Sequence, residues 1–162
     1  RLETPGVGSS TLAYLLDIAE ELRKRAGPGV PMRLVDIQSP MDISALIWEK
    51  VSFYMALMDD AEPVLELADK VGQLLTAFLD EWFRRYGTDF VAHHPDYFMR
   101  GGLTLSDDEI GSVSTDMYEQ YFLPDLTMLS RRYGGLGFHC CAESQRHWSS
   151  FLTIPELIGL NI

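Results

Sequence analysis

The strongest constraint on the fold of this chain is the alternation of helical segments with short apolar runs. Helices are predicted over residues 9–25, 42–47, 51–58, 63–86, 116–133 and 144–151. The longest of them, residues 63–86, has an apolar side chain at every third or fourth position. Strand-like runs occupy residues 32–37, 89–93, 136–140 and 157–161. Short apolar strands between helices are typical of a parallel sheet with helices packed outside it.

The length of the chain sets how much of such a sheet it can form. A closed barrel of eight strand–helix units needs about 250 residues, whereas this chain has 162 residues. We therefore predict an α/β fold in which residues 1–162 form a single domain, roughly half of a (β/α)8 TIM-type barrel with parallel strands and outer helices. A small complete α/β sheet is the alternative. Because an open sheet edge invites pairing, a homodimer or a complementing chain is expected to cover it.

The finer organisation includes one long connection and one interrupted helix. Residues 94–114, rich in Gly, Pro and Asp, are predicted to form a loop. Asp116 is expected to begin the next helix, with Glu119 completing a capping box, and Pro124 to interrupt or kink it.

Composition excludes several classes of function. The formal net charge is -11, and no basic stripe suited to a phosphate backbone is present, so nucleic acid is not an expected partner. No apolar run approaches the roughly 20 residues that a membrane span needs. The only cysteines, Cys140 and Cys141, are adjacent, and a bridge between neighbours would be badly strained. Free thiols indicate a reducing compartment, so a cytoplasmic location is expected.

Candidate functional residues follow from a general property of parallel sheets, whose active sites gather at the carboxyl ends of the strands. Applied here without any motif, this rule selects Gln38, Ser39, His93, His94, Asp96, His139, Cys140, Cys141 and Asn161. Three of the four histidines of the chain fall in this set, which makes the strand ends the expected location of the chemistry.

His139 and Cys141 are the candidate metal ligands. Residues two apart on a strand point the same way, so this pair can present an imidazole and a thiolate to a soft divalent cation such as zinc. A further ligand would come from His147, Cys140 or a residue outside the sequence. The alternative is that Cys140 packs in the core while His139 and Cys141 line the site without metal.

The other strand-end candidates suit proton transfer or substrate anchoring. His93, His94 and Asp96 combine imidazole and carboxylate groups, and His139 joins them as a candidate catalytic residue. Alternatively, His93 packs inside the sheet and Asp96 caps a turn. Residues 107–109, Asp-Asp-Glu, are expected to form a solvated turn before a helix rather than a cation site.

Several segments, in order, resemble a known superfamily of enzymes. They are DIQSPMD at residues 36–42, DEIGSVS at 108–114, MYEQYFLP at 117–124, GGLGFHCCA at 134–142 and IPEL at 154–157, the last leading to Asn161. The ordered set resembles the uroporphyrinogen decarboxylase superfamily, which also contains corrinoid-linked methyltransferases that pass methyl groups to thiols.

The resemblance implies a barrel enzyme with its site at the carboxyl ends of the strands. In the methyltransferase branch a His-x-Cys after the corresponding strand carries zinc, together with a later Cys. His139 and Cys141 match the first two ligands, and the later Cys has no counterpart in this sequence. The Arg-rich segment and early Asp that hold the porphyrinogen in the decarboxylase branch also have no counterpart here.

The function expected from this resemblance is zinc-thiolate methyl transfer to a small-molecule substrate, with a corrinoid protein as partner. Gln38, Ser39 and Asn161 are expected to contact a corrinoid or tetrapyrrole cofactor. One alternative is a metal-free decarboxylase acting on a tetrapyrrole or another carboxylate. Another is a non-catalytic small-molecule binding barrel, because fold alone does not fix function.

Overall fold

The chain is helical in its amino-terminal half and forms a parallel sheet in its carboxyl-terminal half. A computed structural model describes residues 2–89, 91–92, 98–99 and 101–162. The first helices are α1 (Thr11–Ala26), α2 (Pro40–Ile47), α3 (Lys50–Asp59) and α4 (Glu62–Tyr86). The side chains of Ser10, Ser39 and Glu49 cap the amino termini of α1, α2 and α3 by accepting backbone N–H groups. These caps fix where each of the three helices begins.

The second half alternates strands with short helices. Its elements are β1 (Val91–Ala92), β2 (Phe98–Met99), β3 (Leu103–Ser106), α5 (Thr115–Met117), a π-helical turn (Tyr118–Phe122), α6 (Leu123–Tyr133), β4 (Leu136–His139), α7 (Trp148–Phe151) and β5 (Leu157–Asn161). In the described residues β3, β4 and β5 form a sheet in that order, and both pairings are parallel. This architecture confirms a parallel α/β fold, while its closure into a barrel stays a prediction.

The predicted strand at residues 32–37 is wrong, because this segment has no regular strand structure. It meets the sheet only where Gln38 bridges Ser106 in parallel. Two backbone hydrogen bonds hold it there, from Ser106 N–H to Ile37 O (2.9 Å) and from Ser39 N–H to Ser106 O (2.8 Å). Pro40 begins α2 immediately afterwards. The segment therefore contacts the edge of β3 at one point and does not form a continuous series of strand hydrogen bonds.

The described part of the strand predicted at residues 89–93, Val91–Ala92, is not one of the strands of the parallel sheet. Val91–Ala92 pairs antiparallel with Phe98–Met99, and the strand that pairs with β4 is Leu103–Ser106, inside the predicted loop. All four residues of that strand are buried. A short strand buried on both faces has no alternation to reveal it in a sequence. The candidate residues His93, His94 and Asp96 lie outside the described residues.

The helix predicted at residues 116–133 is divided into three parts. Ser114, rather than Asp116, is the amino-terminal cap, and its side chain accepts the N–H of Met117 at 3.2 Å. The π-helical turn follows, and Pro124 lies in the first turn of α6. Because Pro124 has no N–H to donate, a regular α-helical ladder cannot pass through it. The predicted interruption is confirmed, and the widened turn accommodates it.

One apolar core joins the two halves. Helix α4 contacts α2 and α3, and α6 contacts both β3 and β4. Buried side chains from these elements form a continuous cluster that includes Val64, Phe78, Trp82, Leu105, Leu126, Leu129, Leu136 and Phe138. Within the described residues, no helix is both long enough and apolar enough to cross a membrane. Because α6 packs against β3 and β4, this core fixes the position of the strand ends.

Asp125, in the first turn of α6, makes stability depend on pH. Burial, with a smaller contribution from the charge of Asp69, raises the pKa of Asp125 to about 6. A raised native pKa contributes stability that is complete below the unfolded value and is lost as pH rises through about 6. At pH 7.5 we expect Asp125→Asn to be more stable than the unmodified chain by on the order of 1–2 kcal/mol.

The advantage of Asp125→Asn should fall to about half or less at pH 4.5, where Asp125 is protonated in the native chain and partly protonated in the unfolded chain, as thermal unfolding at both pH values would show. Asp116→Asn is the matched control, because Asp116 also lies in a first helical turn but is exposed. An equal gain at both pH values would contradict the assignment.

Candidate metal centre

The candidate site begins with one row of residues across the carboxyl end of the sheet. Gln38 bridges Ser106, Ser106 is in register with His139, and His139 is in register with Asn161. The residues that follow β3 and β4 therefore leave the sheet side by side. This geometry brings the Asp-Asp pair after Ser106 close to the Cys-Cys pair after His139.

Three side chains from the two strand ends converge on one point. The potential ligand atoms of Asp108, His139 and Cys141 all lie within 4.8 Å of one another. His139 is buried, Asp108 is half-buried and Cys141 is exposed. One carboxylate oxygen, one imidazole nitrogen and one thiol sulfur thus face a common position that solvent reaches from the Cys141 side.

Asn161 fixes the orientation of the His139 ring. The Nδ1–H of His139 donates to Oδ1 of Asn161 at 2.6 Å. In this tautomer the lone pair of the ring is on Nε2. A hydrogen-bonded partner on the second nitrogen is the usual arrangement for a histidine that binds a metal ion. Asn161, predicted as a cofactor contact, is placed as the partner of His139.

Asp108 links the two loops that carry the centre. Its Oδ1 accepts the backbone N–H of Cys141 at 2.7 Å. The pKa of the Cys141 thiol is raised, mainly by a hydrogen bond to Asp108 and to a smaller extent by desolvation. A bound cation would reverse that preference, because a coordinating thiol is deprotonated.

Cys140 is not among the converging side chains and packs in the core, one of the two placements that the sequence left open. It is fully buried, and its Sγ lies 3.6 Å from the carbonyl oxygen of Ala142. Burial raises the pKa of its thiol to about 11. Cys140 therefore packs as a small apolar residue and is not a thiolate at neutral pH.

Two buried carboxyl groups lie behind the three donors. Asp107 is fully buried, its backbone N–H donates to the carbonyl oxygen of His139 (2.9 Å), and its Oδ1 accepts the hydroxyl of Ser39 (2.8 Å). Burial and the neighbouring charge of Asp42 raise the pKa of Asp107 well above its ordinary range. Burial also raises the pKa of Asp42. The pair carries less negative charge than two exposed carboxylates would.

Glu109, which follows Asp108, is held by two residues of α3. Its carboxylate lies 2.6 Å from Nζ of Lys50 and also accepts the hydroxyl of Tyr54. The expectation that residues 107–109 form a solvated turn is therefore wrong. Asp107 is buried and Glu109 is held by α3, because both residues follow a strand that the sequence pattern did not reveal.

The structure brings together only part of the predicted set. His139, Cys141 and Asn161 meet at the centre, whereas Gln38 lies at the far end of the row and Ser39 is buried against Asp107. His147, a candidate third ligand, is buried elsewhere.

The environment of His147 explains why it does not join the centre. Its Nε2–H donates to the carbonyl oxygen of Ile110 at 2.9 Å. Its ring packs on Tyr118 with centroids 4.7 Å apart. Burial lowers its pKa and favours the neutral ring.

Sequence reasoning missed Asp42, Asp107 and Asp108. The rule for strand ends would have selected Asp107 and Asp108 had the strand at Leu103–Ser106 been recognised. Gly101 and Gly102 before a short apolar run were the available signal. Asp42 carries no such signal, because its contacts are with residues 66 and 67 positions away.

Comparison with known proteins gives one informative similarity. No family model matches the chain, and no curated protein matches it. Among solved structures, the chain is similar to a methyltransferase from Methanosarcina mazei, with a TM-score of 0.74 and 14% sequence identity. The similarity covers 97% of this chain and 44% of that one, so this chain spans less than half of the length of its structural neighbour. At such low identity the similarity establishes the fold alone.

Proposed function

We propose that this chain carries a zinc centre of a methyl-transfer enzyme, in which a bound thiol is the methyl acceptor. The observation that carries the proposal is the convergence of Asp108, His139 and Cys141 at the strand ends. The similarity of the fold to that of a methyltransferase supports the same reaction class. The sequence resemblance to the corrinoid-linked methyltransferases points in the same direction.

The three side chains fit zinc by their chemistry. Zinc accepts thiolate sulfur, imidazole nitrogen and carboxylate oxygen, and catalytic zinc sites combine three protein ligands with one open position. The exposed side of the centre, at Cys141, is where a substrate thiol would approach. The hydrogen bond from His139 to Asn161 supplies the supporting contact that such sites require.

A bound zinc ion would supply Lewis acidity that lowers the pKa of a substrate thiol. The residues of the chain supply the geometry. Asp108 and Cys141 are tied together through the Cys141 N–H, and Asn161 keeps His139 in one tautomer. In the transfer, a bond forms between the acceptor sulfur and the methyl carbon. The bond from that carbon to its donor breaks and leaves its electron pair on the donor, while the thiol proton goes to solvent.

The methyl donor that we propose is a corrinoid. Of the predicted cofactor contacts, Ser39 is buried with its hydroxyl donated to Asp107, while Gln38 is half-buried and pairs with β3 through its backbone. We propose that a partner protein carries the corrinoid, as the sequence resemblance implies. Decarboxylation of a tetrapyrrole has less support, because the carboxylate of Asp108 at the centre would repel a substrate rich in carboxylates.

The proposal is tested by supplying the zinc-loaded chain with methylcobalamin as donor and a panel of small thiols. We expect loss of the cobalt–methyl absorbance and an S-methyl product identified by mass spectrometry, both dependent on zinc. His139→Ala should abolish both signals. Absence of any S-methyl product from zinc-loaded protein would contradict methyl transfer to a thiol.

A further inference from the structure

Asp42 reaches from α2 to the loop that carries the candidate metal ligand Asp108. Its Oδ2 accepts the backbone N–H of Asp108 at 2.6 Å, and its Oδ1 accepts the backbone N–H of Glu109 at 2.9 Å. Asp42 is only 1% exposed. One carboxylate thus binds two successive N–H groups directly after β3.

These contacts restrain the loop backbone at Asp108, the residue whose side chain is a candidate metal ligand. Two successive N–H groups bound to one carboxylate restrict the rotation of the peptide unit between Asp108 and Glu109. The Asp108 side chain extends from that restrained backbone and accepts the N–H of Cys141 at 2.7 Å. The restraint therefore passes from α2 through Asp108 to the loop after β4.

Asp42 is itself held in place by a hydrogen bond to Ser39. The backbone N–H of Asp42 donates to Oγ of Ser39 at 3.1 Å, and the same hydroxyl donates to Asp107. A buried carboxylate is costly unless it is hydrogen-bonded. The two N–H groups of the loop are the contacts that offset this cost for Asp42.

We propose that Asp42 is a positioning residue that holds Asp108 in the orientation needed to bind a metal ion. This inference rests on the proposed metal function but concerns a residue outside the ligand set. It predicts that Asp42 acts on metal affinity through Asp108. Substitution of a residue that only supported the fold would lower the free energy of unfolding without a specific loss of metal affinity.

The chain offers a matched control for this role. Glu49 also accepts two backbone N–H groups, those of Val51 (3.1 Å) and Ser52 (2.9 Å), at the start of α3. These contacts do not involve Asp108. Asp42→Asn and Glu49→Gln therefore remove the same kind of interaction at positions with and without a link to the centre.

The first test measures Co²⁺ affinity by competition with a chromophoric chelator. We expect Asp42→Asn to weaken binding by about tenfold or more, the effect typical of residues that orient metal ligands, and Glu49→Gln to leave it unchanged within about twofold. Combined with Asp108→Ala, Asp42→Asn should cause no further loss, because both changes remove the same ligand. Additive losses, or equal effects of Asp42→Asn and Glu49→Gln, would overturn the inference.

A second measurement needs no metal. In the metal-free chain, hydrogen exchange of the Cys141 amide should accelerate in Asp42→Asn but not in Glu49→Gln, because Asp108 would no longer be held as its acceptor. If the unmodified chain binds no metal, the proposed function fails, whereas an unaltered exchange rate in Asp42→Asn refutes the positioning role alone. Should Asp42→Asn not fold, Asp42→Glu, which keeps the charge and moves it by one methylene, must show the same differences from Glu49→Gln.

Discussion

Replacing Cys141 with Ala is expected to weaken zinc binding by at least about 100-fold, because it removes the only thiol at the centre among the described residues. His139→Ala should have an effect of the same size. Isothermal titration calorimetry at pH 7.5 would measure both losses. The unmodified chain should bind one zinc ion.

Cys140→Ala is the matched control for the loss of Cys141. The two cysteines are adjacent, but Cys140 is buried and packs against the loop while Cys141 is exposed at the centre. We expect Cys140→Ala to retain zinc affinity within about threefold and to lose stability only modestly, as for a small change in a core. Equal zinc affinities of the two variants would remove Cys141 from the ligand set.

Gly102→Ala is expected to destabilise the fold by about 2–4 kcal/mol, the largest effect on stability that we predict. Gly102 has φ +74°, and an added Cβ would lie 2.8 Å from the backbone oxygen of Gly135. That oxygen accepts the N–H of Leu103 at 2.9 Å where β3 begins beside β4. The backbone cannot yield there without disturbing the pairing of the two strands.

Gly101→Ala separates the contact from the backbone conformation. Gly101 has nearly the same φ, +72°, but an added Cβ there meets no atom within 4 Å. Its substitution should cost only the strain of a left-handed residue, about 1–2 kcal/mol. Urea denaturation of both variants would measure the difference. Equal losses would show that the approach of Gly102 to Gly135 is not a tight contact.

Much of the centre could be predicted from sequence because strand ends in a parallel sheet are predictable. The apolar runs predicted at residues 136–140 and 157–161 correspond to β4 and β5, and their residues His139 and Asn161 meet in the structure. Strand alternation also predicted that His139 and Cys141 point the same way, and both lie at the centre. These features depend on contacts between neighbouring segments.

The acidic part of the centre could not be predicted because it depends on tertiary contacts. A strand of four buried residues carries no periodicity, so the sequence pattern predicts only a solvated turn where Asp108 lies. Asp42 acts on a loop 66 residues away, and no local pattern in α2 indicates this. Residues 32–37 show the same dependence on tertiary contacts. Their composition is typical of a strand, but the segment pairs with the sheet through the single bridge between Gln38 and Ser106.

The most direct test of the metal centre is X-ray absorption at the zinc edge of the zinc-loaded chain. We expect one sulfur ligand at about 2.3 Å, with the remaining ligands nitrogen or oxygen at about 2.0–2.2 Å. The sulfur contribution should disappear in Cys141→Ser and persist in Cys140→Ala. A spectrum without sulfur, or one that Cys141→Ser leaves unchanged, would contradict a centre formed by Asp108, His139 and Cys141.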